Sequence, residues 1–212
     1  MICGVDEAGK GSVLGPLVVA AVGVSSEHVL DGLGVKDSKL VSPRERERLY
    51  PLIRAQCKVA TIKLDAQDID AIRTEMTLNA AMARTHARAI DKISPSCAFV
   101  DACDVNSLRY GEMVRSNLVK ECEIVSEHHA DVKFPVVSAA SIIAKVTRDR
   151  AIAVLAKKYG EIGSGYPADP ITIRFLETWI SEHGSPPPIA RKSWKTISAM
   201  LARKSQKSLM DF

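Results

Sequence analysis

Short, nearly continuous apolar runs alternate along the chain with longer stretches whose apolar positions recur every three or four residues. The first pattern suits buried strands and the second suits helices with one face on a core. ICGVDE (2–7) and PLVVAAVGV (16–24) predict two strands. The Gly-rich link AGKGSVLG is short enough to make them an antiparallel pair. Ser42, Pro43 and Glu45 form a helix start, with a hydroxyl cap, proline in the first turn and the glutamate of a capping box. That helix runs toward Gln56, with Pro51 expected to kink or split it. KVATIKL (58–64) alternates as a strand, and residues 75–93 place Met76, Ala80, Ala83, Ala87 and Ile90 on one helical face. CAFVDA (97–102) and CEIVSE (122–127) predict two further strands around a helix over 107–119. Residues 135–157 read as a long helix, apolar all round in its first half (PVVSAASIIAKV) and so buried on most sides. Asp169 caps and Pro170 opens a helix to about His183, and GSPPP leads to a basic helix around 190–204. The closing KSQKSLMDF reads as a flexible tail. A meander followed by alternating strands and helices implies an α/β architecture, a mixed sheet covered by helices.

Composition narrows the class. At 212 residues, 46% hydrophobic and 25% charged, the chain fits one domain with an appendage, and it can bury enough apolar surface to fold without disulfides or metals. No apolar run reaches the length of a membrane span, and Asp6 and Glu7 interrupt the region where a signal peptide needs an apolar stretch, so a cytoplasmic protein is expected. The five cysteines (Cys3, Cys57, Cys97, Cys103, Cys122) form no CxxC pair and are expected to act as small buried hydrophobes. The net charge of +4 is concentrated after residue 183, where six basic side chains face one acid, while the rest of the chain is near neutral. A basic end on a neutral body suits a polyanion, although it equally describes a solvated helix face.

The chemistry lies in the acids at strand ends. Asp6 and Glu7 close the first apolar strand, Asp101 closes AFVDA, and Asp131 follows the fifth strand, just before the buried helix. Any one of these is ordinarily a solvated loop residue. Gathered at one sheet edge, they would repel one another by several kcal/mol in low dielectric unless neutralised. A hard divalent cation does this, and carboxylate oxygen suits Mg²⁺ or Mn²⁺. Two such ions can activate water and stabilise the leaving oxygen of a phosphodiester. A competing frame, GVDEAGK (4–10), fits a phosphate-cradling loop only superficially. Gly11 stands where that loop needs Ser or Thr, a strand follows instead of a helix, and two acids would repel a nucleotide. His128 and His129 lie close to Asp131, but the sequence places no partners for a soft-metal site beside them.

The run VDEAGKGSVLGPLVVAA resembles the opening of type 2 ribonuclease H (ribonuclease HII), in particular its archaeal branch. The resemblance continues at Lys36-Asp37-Ser38-Lys39, Val100-Asp101, Ala130-Asp131 with PVVSAASIIAKV, Gly163-Ser164-Gly165-Tyr166 and Arg191-Lys192-Ser193-Trp194-Lys195-Thr196. It implies a ribonuclease H-like fold: a five-stranded mixed sheet flanked by helices, with a helical C-terminal extension. Its expected divisions are 1–165 for the catalytic domain, 166–205 for a substrate-binding extension and 206–212 for a tail. It also implies that Asp6, Glu7, Asp101 and Asp131 are the catalytic, metal-binding carboxylates of a site taking Mg²⁺ or Mn²⁺, with two ions. The reaction implied is cleavage of RNA in RNA–DNA hybrids and 5′ of ribonucleotides embedded in duplex DNA, leaving 3′-hydroxyl and 5′-phosphate ends, during replication and repair.

By the same resemblance, Gly9, Lys10 and Gly11 match the turn that contacts the 2′-hydroxyl, the one group that separates RNA from DNA at a given site. Many members carry arginine in the middle; Lys10 keeps the charge without the planar fork. Tyr166 matches the tyrosine that stacks on the deoxyribose beside the ribonucleotide. Lys39, Arg191, Lys192 and Lys195 are candidates for phosphate contact. Gln206, Leu209 and Phe212 resemble a sliding-clamp-binding peptide that lacks its usual second aromatic. The expected protein is a monomer. Its rivals are a DNA nuclease or strand-transfer enzyme of the same fold, and a non-catalytic nucleic-acid-binding adaptor.

Overall fold

A computed structural model of the chain describes residues 1–26, 28–35 and 41–210, the last six of these (205–210) through their backbone alone. Five strands, β1 (Ile2–Ala8), β2 (Leu17–Val24), β3 (Lys58–Leu64), β4 (Cys97–Asp101) and β5 (Glu123–Glu127), form one sheet in the order β3-β2-β1-β4-β5. β1 runs antiparallel to β2 and parallel to β4, and β4 runs parallel to β5, so the sheet is mixed as expected. The helices among the described residues are α1 (His28–Asp31), α2 (Pro43–Gln56), α3 (Ala66–Glu75), α4 (Leu78–Ile93), α5 (Ser107–Ser116), α6 (Ala130–Lys133), α7 (Pro135–Tyr159), α8 (Pro170–His183) and α9 (Lys195–Met210).

The pleat assigns side chains to faces. Gly4 stands opposite Val22, and a Cβ on Gly4 would lie 2.3 Å from the Val136 carbonyl carbon, so even-numbered positions of β1 face α7. Cys3 stands opposite Gly23, whose Cβ would meet Ile93 of α4 at 2.5 Å, so odd-numbered positions face α4. Both faces of the central strands are therefore covered, which explains why β2 is apolar at every position.

By chain contacts the molecule divides into two compact units. The first comprises Met1–Ala8, Val18–Lys63 and Met76–Thr147. Its core packs Val18, Ala20 and Val22 of β2 with Leu49 and Ile53 of α2 and Val136, Ala140 and Ile143 of α7. The second comprises Gly9–Leu17, Leu64–Glu75 and Arg148–Phe212. Its core packs Val13 and Leu14 with Ile152, Ile162, Leu176, Ile189, Ala190 and Ile197.

Several elements differ from the sequence expectation. α2 runs unbroken through Pro51, which sits on its exposed side, where water can meet the carbonyl that the missing N–H leaves behind. The helix expected over 75–93 begins at Leu78, capped by Thr77, and a separate α3 precedes it. The basic helix begins at Lys195 and continues to Met210, so the backbone expected as a tail is helical through that residue. The short α6 was not anticipated. No helix among the described residues is long and apolar enough to cross a membrane.

Candidate active site

Asp6 and Glu7 are consecutive on β1, so the pleat sends them to opposite faces. Asp6 points to the α7 side, where it is buried and accepts a hydrogen bond from the Ser141 hydroxyl. Its Oδ1 also accepts from the Glu7 backbone N–H at 2.7 Å. Glu7 points to the α4 side. There its Oε2 lies 3.3 Å from Nε2 of the fully buried His86, and its Oε1 accepts from the Cys103 thiol at 3.0 Å. His86 is held in turn by the Tyr110 hydroxyl, 3.1 Å from its Nδ1.

Asp101 ends β4, the parallel neighbour of β1, and its Oδ1 accepts the backbone N–H of Ala130 at 2.8 Å. Asp131 is the next residue, buried in the single turn of α6, one peptide from the group that holds Asp101. Electrostatics ties the set together. The Asp6 carboxyl is pushed well above the usual carboxylate range, first by burial, then by the neighbouring charge of Glu7 and, more weakly, of Asp101. Like charges in a dry pocket hold a proton unless a cation replaces it.

The second unit holds the Gly9–Gly11 turn. Gly9 has φ +88°, and a Cβ there would lie 2.4 Å from Nε of Arg148 and 2.8 Å from the Pro16 carbonyl oxygen, so only glycine fits. Its carbonyl accepts from the Ser12 hydroxyl at 2.9 Å. The Arg191 guanidinium, itself fully buried, donates to the Gly15 carbonyl from Nε and Nη2 and to the Lys10 carbonyl from Nη1, at 3.1–3.2 Å. Burial, followed by repulsion from Arg148, lowers its pKa to about 9. The N–H groups of Val13 and Leu14 donate to Gly165, so the turn is stitched to the segment carrying Tyr166. Tyr166 is partly exposed, its ring 4.6 Å from the guanidinium carbon of buried Arg148, which donates to the Ser164 carbonyl at 2.9 Å.

The family profile described as Ribonuclease HII matches residues 3–197. A curated ribonuclease HII of Methanoregula boonei is 65% identical over the full length of both chains. The structure titled as the PCNA:RNase HII complex from Archaeoglobus fulgidus superposes with a TM-score of 0.88 at 42% identity, covering 94% of this chain and 96% of that one. A Bst-RNase HIII structure in complex with Mn²⁺ has a TM-score of 0.80 at 25% identity, covering 97% of this chain and 70% of that one. This chain belongs to the ribonuclease HII family. It is thus a ribonuclease H with the ribonuclease H-like fold, a hydrolase acting as an endonuclease.

Within this ribonuclease HII, the structure sorts the expected residues. Asp6, Glu7 and Asp101 interact electrostatically, and Asp131 directly follows Ala130, whose N–H holds Asp101. Gly9, Lys10 and Gly11 form one turn, while Lys192 and Lys195 are exposed. Arg191 departs from its expectation as a phosphate contact: it is buried, and its donors are turned onto the Gly15 and Lys10 carbonyls. Lys39 and Phe212 lie outside the described residues, as do the side chains of Gln206 and Leu209. Sequence reasoning missed Ser141, His86, Cys103, Tyr110 and Arg148. Ser141 and His86 each leave a trace, a polar residue among the mostly apolar buried positions of its helix. Cys103, set aside as a buried hydrophobe, instead contacts Glu7.

Proposed function

We propose that this ribonuclease cuts the RNA strand of RNA–DNA hybrids and cuts 5′ of ribonucleotides embedded in duplex DNA, leaving 3′-hydroxyl and 5′-phosphate ends. Asp6, Glu7, Asp101 and Asp131 are the ligands of Mg²⁺ or Mn²⁺ in a two-ion site. The observation that carries this reading is the buried Asp6 carboxyl, forced upward in pKa beside Glu7 and Asp101. An all-oxygen, anionic donor set in that condition fits a hard divalent cation. The Mn²⁺ in the related RNase HIII adds support. When bound, such ions supply Lewis-acid activation of water and neutralise charge at the phosphodiester.

The chain's own groups do the rest. Ser141 and the Glu7 N–H fix the Asp6 carboxylate, and the Ala130 N–H fixes that of Asp101. The Gly9–Lys10–Gly11 backbone reads the 2′-hydroxyl, with Arg191 positioning the turn through the Lys10 carbonyl. Tyr166, braced on Arg148, packs against the sugar at the RNA-to-DNA junction. Lys39, Lys192 and Lys195 contact phosphates. Gln206, Leu209 and Phe212 bind the sliding clamp, a reading supported by the PCNA complex of the Archaeoglobus fulgidus relative. The protein acts as a monomer in ribonucleotide and RNA-primer removal.

A duplex holding one ribonucleotide and its all-DNA twin test this, each incubated with and without Mg²⁺ while the cut is mapped. Cleavage only of the first, only with Mg²⁺ and on the 5′ side of the ribonucleotide, is the expected result. Asp101→Asn lowers turnover about 100-fold or more while the thermal midpoint stays within a few degrees. Normal cleavage by that variant, or cutting of the all-DNA twin, overturns the proposal.

A further inference from the structure

We propose that Glu7, His86 and Cys103 form a second, thiophilic metal site that takes Zn²⁺ and, by engaging Glu7, switches the nuclease off. One donor atom from each of the three lies within 4.8 Å of the other two. Tetrahedral Zn²⁺ at its usual bond lengths separates its donors by roughly 3.4–3.6 Å. Glu7 Oε2 already stands 3.3 Å from His86 Nε2 and Glu7 Oε1 3.0 Å from the Cys103 sulfur, and drawing one oxygen, the imidazole and the sulfur together from within 4.8 Å takes side-chain adjustments of about 1–1.5 Å. Nitrogen, sulfur and oxygen together select zinc over magnesium, since thiolate and imidazole are donors that Mg²⁺ declines.

The surroundings point independently to a ligand set. His86 is fully buried: its Nε2 is directed at Glu7 and makes no hydrogen bond of good geometry among the described residues. Its other nitrogen meets the Tyr110 hydroxyl at 3.1 Å, and Tyr110 also hydrogen-bonds Cys103. With metal on Nε2, the Nδ1–H donates to the Tyr110 oxygen while the Tyr110 O–H donates to the Cys103 sulfur. One buried hydroxyl thereby orients two ligands, as outer partners of metal sites do. Loading replaces the Cys103 thiol proton, which leaves to solvent, with the Zn–S bond. The inhibitory half of the proposal rests on Glu7 serving the hard-ion site.

Co²⁺ is the spectroscopic probe, read by visible and near-ultraviolet absorption on the full chain. Tetrahedral d–d bands with a sulfur-to-cobalt charge-transfer band are expected, bleached by one equivalent of Zn²⁺. Both vanish in Cys103→Ser and in His86→Gln, and the partly exposed Cys103 keeps the test valid should the His86 variant fail to fold. Tyr110→Phe weakens Zn²⁺ about 10-fold or more. The bands persist in Asp101→Asn, whose hard-ion site is broken. Absence of the charge-transfer band, its survival in Cys103→Ser, or its loss in Asp101→Asn overturns the site. In the same preparation, Mg²⁺-dependent cleavage of the single-ribonucleotide duplex falls as one equivalent of Zn²⁺ is added, each variant being compared with its own zinc-free rate. Undiminished cleavage by a zinc-loaded wild-type protein overturns the sharing of Glu7. Absence of cleavage before zinc is added would instead count against the proposed function, with the absorption bands still deciding the site.

Discussion

Two glycines in one turn make opposite demands. Gly9 has a left-handed backbone and no room for a Cβ, whereas a Cβ on Gly11 would meet nothing within 4 Å. Gly9→Ala is expected to cost about 1–3 kcal/mol, read as a fall in denaturation midpoint. Gly11→Ala should fold like the wild type, so any loss of ribonucleotide cleavage in it reports on approach to the substrate sugar. Arg191→Lys should likewise lower stability, because a single ammonium cannot replace a fork bonded to two carbonyls. At this scale the sequence displayed the anionic residues well, since Asp6, Glu7 and Asp101 interrupt apolar strands. It hid their companions: His86 and Cys103 meet Glu7 only after the register of β1 and the packing of α4 are set, across 96 positions in the case of Cys103. Arg191 misled for the same reason, because a basic motif does not announce whether its fork turns outward or inward.

Elements are held by local signals of unequal legibility. Ser42, Thr77 and Asp169 each accept from a backbone N–H of the helix that follows. Ser42 and Asp169 were readable because a hydroxyl or carboxylate followed by proline has a direct capping logic. α3 was not, since AQDIDAIRTE buries only Ala66 and Ile69 and its period is faint. Its Asp70 nevertheless accepts from the backbone N–H groups of Lys192 and Ser193. Gly4 is the position where β1 and α7 touch backbone to backbone, bringing Ser141 to Asp6. Gly4→Ala should therefore cost about 3 kcal/mol or prevent folding, measured by chemical denaturation. Asp169 supplies a pH test. Hydrogen bonds from the Ser164 N–H and hydroxyl hold its pKa down to about 2, against 3.8 for the free side chain. Its stabilising contribution is complete above the unfolded value and is lost as pH falls through the folded one. The difference in thermal midpoint between the wild type and Asp169→Asn should shrink from pH 5 toward pH 2.

At the scale of the molecule, charge is the property most legible in sequence and least tied to fold. Exposed Lys192 and Lys195 belong to the basic end, and replacing either by alanine should lower the salt dependence of hybrid binding by about one unit of log–log slope. Fluorescence anisotropy across a salt series measures this, and Arg191→Lys should leave the slope alone. Phe212→Ala should weaken clamp binding in calorimetry. The division into two compact units follows packing and not chain order, which a linear sequence does not display. Residues Gly9–Leu17 join a unit otherwise formed by Leu64–Glu75 and Arg148–Phe212, because their apolar side chains pack with Leu176, Ile189 and Ile197.

The bond from Arg191 to the Gly15 carbonyl spans 176 positions. A ribosome adding about 5–20 residues per second leaves that carbonyl waiting roughly 9–35 s for its donor to be made. The nascent chain thus completes the bonding of its Gly9–Gly11 turn only as translation ends, and a message cut short before codon 191 yields a polypeptide whose Lys10 and Gly15 carbonyls never meet that guanidinium.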